Sequence, residues 1–215
     1  MRGLILDFGG VISRTLFETH AATERALGLA AGTLTWRGPF DAEHDTLWQS
    51  MQAGALSERG YWLARTRQVG LLLGEEWSRM ETLVQRARGA EPEAVLRPQT
   101  EALMRDAHAA GIRLAILSNE LDLFYGRALR ERLSLLRLVS VVVDATYTGV
   151  LKPDPRAYTM CLEQLGLAAA ECVFIDDQPR NIDGAMAVGL HCVSFDVRQP
   201  DLACQQARHL LGLPA

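Results

Sequence analysis

Short apolar runs that stop at a polar residue recur along the chain, and each is followed by a stretch with helical spacing. Near-continuous apolarity without alternation is typical of strands covered on both faces, as in parallel sheets flanked by helices. The pattern therefore predicts an α/β fold. The runs are Leu4 to Leu6 before Asp7, Leu114 to Leu117 before Ser118, Val139 to Val143 before Asp144, and Cys172 to Ile175 before Asp176, with His191 to Phe195 as a fifth candidate.

A long insertion separates the first predicted strand from the second. More than ninety residues lie between them, whereas a plain crossover needs roughly 10–12. We expect an inserted all-helical cap subdomain at residues 17–91, over a core formed by residues 1–16 and 92–215. Pro92 and Pro98 mark the return to the core. Predicted cap helices, each ending at or near a glycine, are Thr19 to Leu27, Asp41 to Gln52, Ser57 to Val69 and Glu75 to Arg88.

Composition and charge narrow the class of protein. The 215 residues carry a net charge of −4 and are 48% hydrophobic, which is typical of a folded, mildly acidic protein. Charge-driven nucleic-acid binders are usually basic, so we expect no nucleic-acid partner. No apolar run approaches the ~20 residues of a membrane helix, and the N-terminus lacks a secretory signal pattern. We expect a cytoplasmic protein that does not bind a membrane.

The cysteines and histidines form no metal-binding pattern. Cys161, Cys172, Cys192 and Cys204 contain no C-x-x-C pair, and the five histidines show no H-x-x-x-H spacing. This spacing argues against a zinc site and against a disulfide framework, and it predicts reduced thiols in the core.

Polar residues of chemical interest follow the predicted strands. In an open parallel sheet, ligands bind beyond the carboxyl ends of the strands, so we expect these side chains to converge. Like charges gather only where a cation holds them together. A hard, oxygen-ligated cation such as Mg²⁺ fits this set. The residues are Asp7, Ser118, Asn119, Asp176 and Asp177 at strand ends, with Lys152 in the loop after the third strand.

Four ordered segments carry a resemblance to a known family: Asp7 to Val11, Leu117 to Asn119, Leu151 to Pro155 and Phe174 to Asn181. They resemble the motifs of the haloacid dehalogenase-like hydrolase superfamily. Within it, the chain is most similar to the sugar-phosphatase and glucose-1-phosphatase-like branch with a helical cap. The resemblance spans nearly the whole chain, and it implies a Rossmann-like core. It also implies an Mg²⁺-dependent phosphomonoesterase that acts on a small phosphorylated metabolite, for example a sugar phosphate.

The resemblance implies roles for the residues that handle the phosphoryl group. Asp7 would be the nucleophile that forms an aspartyl phosphate, which water then hydrolyses. Lys152 would orient Asp7 and neutralise developing charge. Ser118 and the Asn119 backbone would bind the phosphoryl oxygens.

The resemblance also implies a set of Mg²⁺ ligands. Asp7 and Asp177 would ligate the ion directly, and the main-chain carbonyl of Gly9 would provide a further oxygen. Asp176 would help through water or by hydrogen bonding.

Gly9 departs from the commonest pattern of the family. Most of its phosphatases carry a second aspartate at this position, which serves as general acid and then as general base, and glycine can do neither. General acid–base catalysis is typically worth ~10² to 10⁴ in rate. Its loss would leave a slower enzyme, one restricted to good leaving groups, or one with a substitute. Candidates for a substitute are Glu18, His20, Asp41 and His44.

Two other functions stay open at this stage. A binding or regulatory protein would keep the phosphate pocket without turnover, and a metal-independent 2-haloacid dehalogenase would also lack the second aspartate. The Asp176–Asp177 pair argues against the dehalogenase because it makes little sense without a metal.

We expect a monomer or homodimer. The cap residues that could contact a substrate or pack the cap's own core are Trp36, Trp48, Tyr61, Trp62, Trp77, Arg37 and Arg65.

Overall fold

The computed structural model describes residues 1–214 and contains, within that range, a five-stranded parallel sheet. The strand order is β3-β2-β1-β4-β5, so β1 lies at the centre. This confirms the predicted α/β architecture, including the fifth candidate strand. The strands are β1 (Gly3–Leu6), β2 (Arg113–Ser118), β3 (Val141–Asp144), β4 (Cys172–Asp176) and β5 (His191–Ser194).

Helices cover both faces of the sheet and fill the insertion. In chain order they are α1 (His20–Leu27), α2 (Thr46–Gln52), α3 (Glu58–Leu72), α4 (Met80–Arg88), α5 (Pro98–Ala109), α6 (Leu121–Tyr125), α7 (Arg127–Arg130), α8 (Ala145–Thr148), α9 (Pro155–Leu165), α10 (Pro179–Ala187) and α11 (Pro200–Leu211). Helices α5 and α11 pack on one face of the sheet, and α9 and α10 pack on the other. No helix within residues 1–214 is both long enough and apolar enough to cross a membrane.

Alternate residues of the central strand enter separate cores. Leu4 and Leu6 pack with the α5 and α11 side, whereas Ile5 packs with α9 and α10. All three are fully buried. Because both faces of β1 are covered, its sequence is apolar without alternation, as the strand prediction assumed.

The insertion between β1 and α5 has an apolar core of its own. Phe17, Trp36, Tyr61 and Trp77 belong to this cap cluster, and each is buried. Helices α1 to α4 surround it. The limits of 17 and 91 given above for the cap stay a prediction.

One cap helix is shorter than predicted. The sequence indicated a helix from Asp41, but α2 begins at Thr46 because the side chain of Asp45 caps it, accepting from the Trp48 backbone N–H at 2.9 Å. Residues 41–45 form only a 3₁₀ turn, Ala42–His44, and its flanks. The exposed stretch offers no apolar face that would extend the helix.

Gly70 does not end α3, contrary to the prediction that the helix stops before it. A Cβ at Gly70 would lie 2.9 Å from Cγ of Trp77, so the glycine allows the tryptophan to pack against the helix. The chain turns instead at Gly74, whose φ is +71°. The helix predicted from Glu75 begins only at Met80, because the preceding residues lie against the end of α3: the Glu75 N–H donates to the Gly70 carbonyl at 2.9 Å, and Trp77 packs on Gly70.

The third strand is also shorter than predicted. β3 begins only at Val141, because Val139 ends the preceding 3₁₀ turn: its N–H donates to the Leu136 carbonyl at 3.2 Å and not to β2. The four cysteines are unpaired, and three of them are buried.

His20 makes the stability of the fold dependent on pH. Its side chain is 4% exposed and packs edge-on against Trp36, with ring centroids 4.3 Å apart. Neither ring nitrogen has a hydrogen-bond partner within the described residues. Burial, together with the charge of Arg37, lowers the pKa of His20 to about 4.

We therefore expect the free energy of unfolding to fall as the pH falls below about 6.5. In this range His20 is protonated in the unfolded chain but stays neutral in the folded protein. The contribution is fully present at neutral pH and is lost as the pH falls towards 4, with about 2 kcal/mol of it lost by pH 5. Urea unfolding at about pH 7.5 and about pH 5 should show a smaller loss for His20→Phe than for the wild type. The exposed residue His108 provides the control His108→Gln. An equal loss in wild type and His20→Phe would contradict the assignment.

Candidate active site

The carboxyl ends of the central strands meet in one cavity beneath the cap. Residue Leu6 of β1 pairs with Ile116 of β2 and Ile175 of β4, so the residues that follow these strands lie side by side. The cavity has a volume of about 130 Å³ and is lined by both core and cap residues. It contains six of the predicted site residues: Asp7, Gly9, Ser118, Asn119, Lys152 and Asp177.

Lys152 connects two of the carboxylates. Its Nζ donates to Asp7 Oδ1 at 2.7 Å and to Asp176 Oδ2 at 2.6 Å. The ammonium group is buried with a side-chain exposure of 1%. Burial opposes its charge, but Asp176 and Asp7 outweigh burial and hold the pKa of Lys152 above its ordinary value. The site therefore contains a permanent positive charge against Asp7.

Asp176 lies below the cavity and is completely buried. Both of its oxygens accept hydrogen bonds, from Lys152, from Nδ2 of Asn181 at 3.0 and 3.1 Å, and from the Gln178 N–H at 2.8 Å. With its acceptor positions used in this way, Asp176 is suited to hold Lys152 in place.

Asn119 positions the loop that carries the lysine. Its Oδ1 accepts from the Lys152 backbone N–H at 2.7 Å, and its Nδ2 donates to the Lys152 carbonyl at 3.1 Å. The Asn119 side chain is thus engaged with the protein. The neighbouring Ser118 hydroxyl accepts only a long bond of 3.4 Å from the Glu120 N–H, which leaves it available to a ligand in the cavity.

Asp7 and Asp177 provide oxygens that are suited to a divalent cation. Within the described residues, neither Asp7 Oδ2 nor the Asp177 carboxylate accepts a hydrogen bond, and the Lys152 ammonium donates instead to Asp7 Oδ1 and Asp176 Oδ2. Burial raises the pKa of Asp7 to about 7, with Lys152 opposing this rise and Asp176 adding to it. Burial and the charges of Asp176 and Asp7 also raise the pKa of Asp177 well above its ordinary value. A cation between the two carboxylates would offset their mutual repulsion and stabilise their charged forms.

The backbone beside these carboxylates is adapted to close approach. A Cβ at Gly10 would lie 2.8 Å from Asp177 Oδ2, so glycine is needed for the carboxylate to rest against this turn, where φ is +80°. No group of three or more His, Cys, Asp or Glu side chains within residues 1–214 is arranged to hold a metal. The available set is therefore two carboxylates and the Gly9 carbonyl, which fits Mg²⁺ because that ion commonly keeps several waters.

None of the four predicted substitutes for the missing acid lines the cavity. Glu18 forms a two-pronged ion pair with Arg97, at 2.8 Å for each bond. His20 lies in the cap core, and exposed Asp41 and His44 pair with each other at 2.7 Å. Proximity along the sequence does not bring these residues to Asp7, because their side chains are directed to other partners.

The cap aromatics divide into two groups. Trp48 and Trp62 are half-buried and line the cavity, whereas Trp36, Tyr61 and Trp77 pack within the cap. The two cap arginines named above do not line the cavity. Arg65 forms a buried ion pair with Asp45, and Arg37 is exposed.

Several cavity residues were missed from the sequence. They are two carboxylates, Glu58 and Glu120, and two arginines, Arg14 and Arg88. Glu58 follows Ser57, the first residue of the predicted helix, whose Oγ accepts from the Gly60 N–H at 3.0 Å, so its place at the start of α3 was predictable. Its position over the core depends on how the cap is seated, and no local pattern reports this.

Comparisons with known proteins agree with the fold and the motifs. A family model described as haloacid dehalogenase-like hydrolase matches residues 1–189. The chain is similar to "Phosphatase MT3486" of Mycobacterium tuberculosis, with 32% identity over 46% of this chain and 46% of that protein. It is also similar to a phosphoglycolate phosphatase of Yersinia pseudotuberculosis, with 26% identity over 91% of this chain and 81% of the relative. For three curated relatives that it matches in part, the chain spans less than half of their length.

Solved structures share the fold. A HAD phosphatase from Thermococcus onnurineus aligns with a TM-score of 0.61 and 20% identity, over 99% of this chain and 98% of that one. A dehalogenase with an intermediate complex aligns with a TM-score of 0.64 and 21% identity, over 100% and 98%. At this identity the two structures establish the architecture alone. With the four motifs in one cavity and the family model matching residues 1–189, the chain belongs to the haloacid dehalogenase-like hydrolases.

Proposed function

We propose that this hydrolase is an Mg²⁺-dependent phosphomonoesterase that acts on a small phosphorylated metabolite through an aspartyl phosphate on Asp7. One observation carries the proposal: Asp7 Oδ1 is fixed by a buried lysine, while Oδ2 accepts no hydrogen bond from residues 1–214. A carboxylate held in this way presents one oxygen as a nucleophile. The phosphatase names of the relatives in Mycobacterium and Yersinia support the same reaction class.

The side chains around Asp7 suit a two-step transfer. Asp7 Oδ2 attacks phosphorus, the bond from phosphorus to the ester oxygen breaks, and that oxygen leaves and takes up a proton. Water then attacks phosphorus, which breaks the bond to Asp7 and releases phosphate and the free carboxylate. Lys152 offsets the charge on the nucleophile, and the Ser118 hydroxyl can donate to a phosphoryl oxygen. A bound Mg²⁺, held by the Gly9 carbonyl, Asp177 and the Asp7 oxygen that does not attack phosphorus, would supply charge stabilisation to the phosphoryl oxygens.

Glu58 is suited to the proton transfers that Gly9 cannot perform. It lines the cavity from the first turn of α3, and its Oε2 accepts from Arg180 at 3.1 Å. Burial, with the charge of Glu120 adding, raises the pKa of Glu58 to about 7. A carboxyl with a pKa near 7 can donate a proton to a leaving group and accept one from water. We assign Glu58 this role in place of the four residues considered from the sequence.

Replacing the nucleophile should abolish turnover. We expect Asp7→Asn to lower phosphate release at least about thousandfold, because the covalent route is removed. The assay follows phosphate release from a panel of small esters with Mg²⁺, beside a sample treated with a chelator. Asp183→Asn, at an exposed carboxylate on α10, is the matched control and should stay active.

Two results would replace the proposed function. Mg²⁺-dependent phosphate binding with no release from any ester would indicate a binding protein. Turnover of a 2-haloacid in the presence of the chelator would indicate a dehalogenase.

Replacing Glu58 should slow the hydrolysis of esters that have poor leaving groups. We expect Glu58→Gln to lower the rate of hydrolysis of alkyl phosphates by about 10²-fold or more. The rate for aryl phosphates should fall much less, because their leaving groups need less protonation. Steady-state rates for the two ester classes provide the readout. Glu163→Gln is the control, because Glu163 is exposed on α9 and lies outside the cavity.

A rescue variant sharpens this test. Among residues 1–214, a Cβ at Gly9 would meet one atom within 4 Å, Asp7 Oδ2 at 4.0 Å, so Gly9→Asp places its Cβ without a clash. Adding it to Glu58→Gln should recover part of the alkyl rate. An equal loss for both ester classes in Glu58→Gln would exclude Glu58 as the acid.

A further inference from the structure

Arg88 is a buried cation without a carboxylate partner. Its exposure is 7%, and it lines the cavity from the last residue of α4. The other buried arginines are paired, Arg65 with Asp45 and Arg97 with Glu18. Among residues 1–214, no acidic side chain lies within ion-pair distance of Arg88. Burying a charge without a counter-charge lowers the stability of the folded protein, because the desolvation free energy is not compensated.

Neutral groups satisfy only part of the Arg88 guanidinium. It donates to the Tyr125 hydroxyl, to the Arg14 carbonyl at 2.8 Å and to the Thr19 hydroxyl at 3.2 Å. Its Nε is buried and has no hydrogen-bond partner in the described residues. These contacts leave the positive charge uncompensated.

The position of Arg88 connects it with the nucleophile. Tyr125 donates to Ser13 Oγ at 3.0 Å, and its ring packs edge-on against Phe8 with centroids 4.8 Å apart. Phe8 directly follows Asp7, and Ser13 and Tyr125 also line the cavity. The Arg88 cation therefore lies on the wall of the cavity that Asp7 also lines, and Tyr125 connects it with the residue after the nucleophile.

A second cavity arginine shares this property. Arg14 is half-buried, its side chain donates to the Ala94 carbonyl, and its Nε is buried without a partner in the described residues. The other cation of the cavity, Lys152, is held by Asp7 and Asp176, and Glu58 and Glu120 pair with Arg180 and Arg59. Asp177 is the carboxylate that the proposed Mg²⁺ would neutralise. The uncompensated positive charge is thus concentrated where Arg14 and Arg88 meet the cavity.

We propose that Arg88, assisted by Arg14, is a subsite for a second anionic group of the substrate. The inference rests on the proposed function, in which Asp7 receives the first phosphoryl group. It specifies the substrate class as a small phosphate ester that also carries a carboxylate or a second phosphate. A guanidinium that binds an anion through charge-assisted hydrogen bonds would select such esters over neutral alcohol phosphates.

The test compares matched esters that differ only in the second charge. One arm uses phosphoglycolate and its uncharged carboxamide, and the other uses the bisphosphate and monophosphate of a short diol. We expect wild-type kcat/KM to favour the charged member of at least one pair by about tenfold or more. In Arg88→Met this preference should fall to near unity, and Arg88→Lys should keep part of it. Arg86→Met is the control because exposed Arg86, on the same helix, pairs with Glu75 at 3.1 Å and lies outside the cavity.

Two outcomes would overturn the proposal. The first is a wild-type enzyme without preference in either arm. The second is an Arg88→Met variant whose kcat/KM falls equally for charged and uncharged esters. That result would show that Arg88 only connects α4 to the segment after β1, or that it acts on the reacting phosphate.

A failure of the proposed function would be recognised separately. If no ester releases phosphate, calorimetric titration with malonate tests the subsite by itself. Malonate binding that Arg88→Met abolishes and Arg86→Met leaves intact would support the subsite. Unchanged binding in Arg88→Met, or no binding to the wild type, would overturn it.

Discussion

The site depends on one buried cation that joins two carboxylates. Lys152 contacts Asp7 and Asp176 at 2.7 and 2.6 Å, and it thereby connects β1, β4 and the loop after β3. Removing one partner from a buried charge cluster leaves an uncompensated charge, which typically costs about 3 to 5 kcal/mol. Asn119 holds the backbone of the lysine and Asn181 holds Asp176, so the arrangement is braced from two sides. The nucleophile is therefore oriented before any substrate arrives.

The same cluster explains the need for a further positive charge. Asp7, Asp176 and Asp177 lie together, while Lys152 alone offsets them within the described residues. The raised pKa values of Asp7 and Asp177 express this imbalance. A divalent cation and a phosphoryl group together would balance the charges. On this view, Gly10 is needed because any side chain there would displace the Asp177 carboxylate.

Ion pairs at the edge of the cavity join the cap to the core. Arg59 of the cap pairs with Glu120 of the core at 2.9 Å, and Arg180 of the core pairs with Glu58 of the cap at 3.1 Å. Ion pairs between exposed side chains typically contribute about 0 to 1 kcal/mol. These pairs therefore add little to the seating of the cap, which depends on its apolar contacts with the core: Val84 packs in the core cluster, and the Trp62 ring packs edge-on against Phe124.

The sequence alone predicted the features that depend on residues close together along the chain. The five strands and the residues that follow them were predictable, because a covered parallel strand is apolar throughout and its last polar residue marks the ligand edge. The substitutes for the missing acid were not predictable. Glu18 is engaged by Arg97, which is distant in sequence, and Glu58 reaches the cavity only because the cap is folded over the core. Arg88 was missed for a related reason, since the absence of a partner is a property of the tertiary structure.

The most direct test is to trap the phosphoryl group on Asp7. A phosphate ester mixed with enzyme and Mg²⁺, quenched in acid within one turnover, would be analysed by peptide mass spectrometry. We predict a phosphoryl-sized mass increase on the peptide that contains Asp7, which disappears in Asp7→Asn. Phosphate release without a covalent adduct, or an adduct mapped to another residue, would contradict the assignment of Asp7 as the nucleophile.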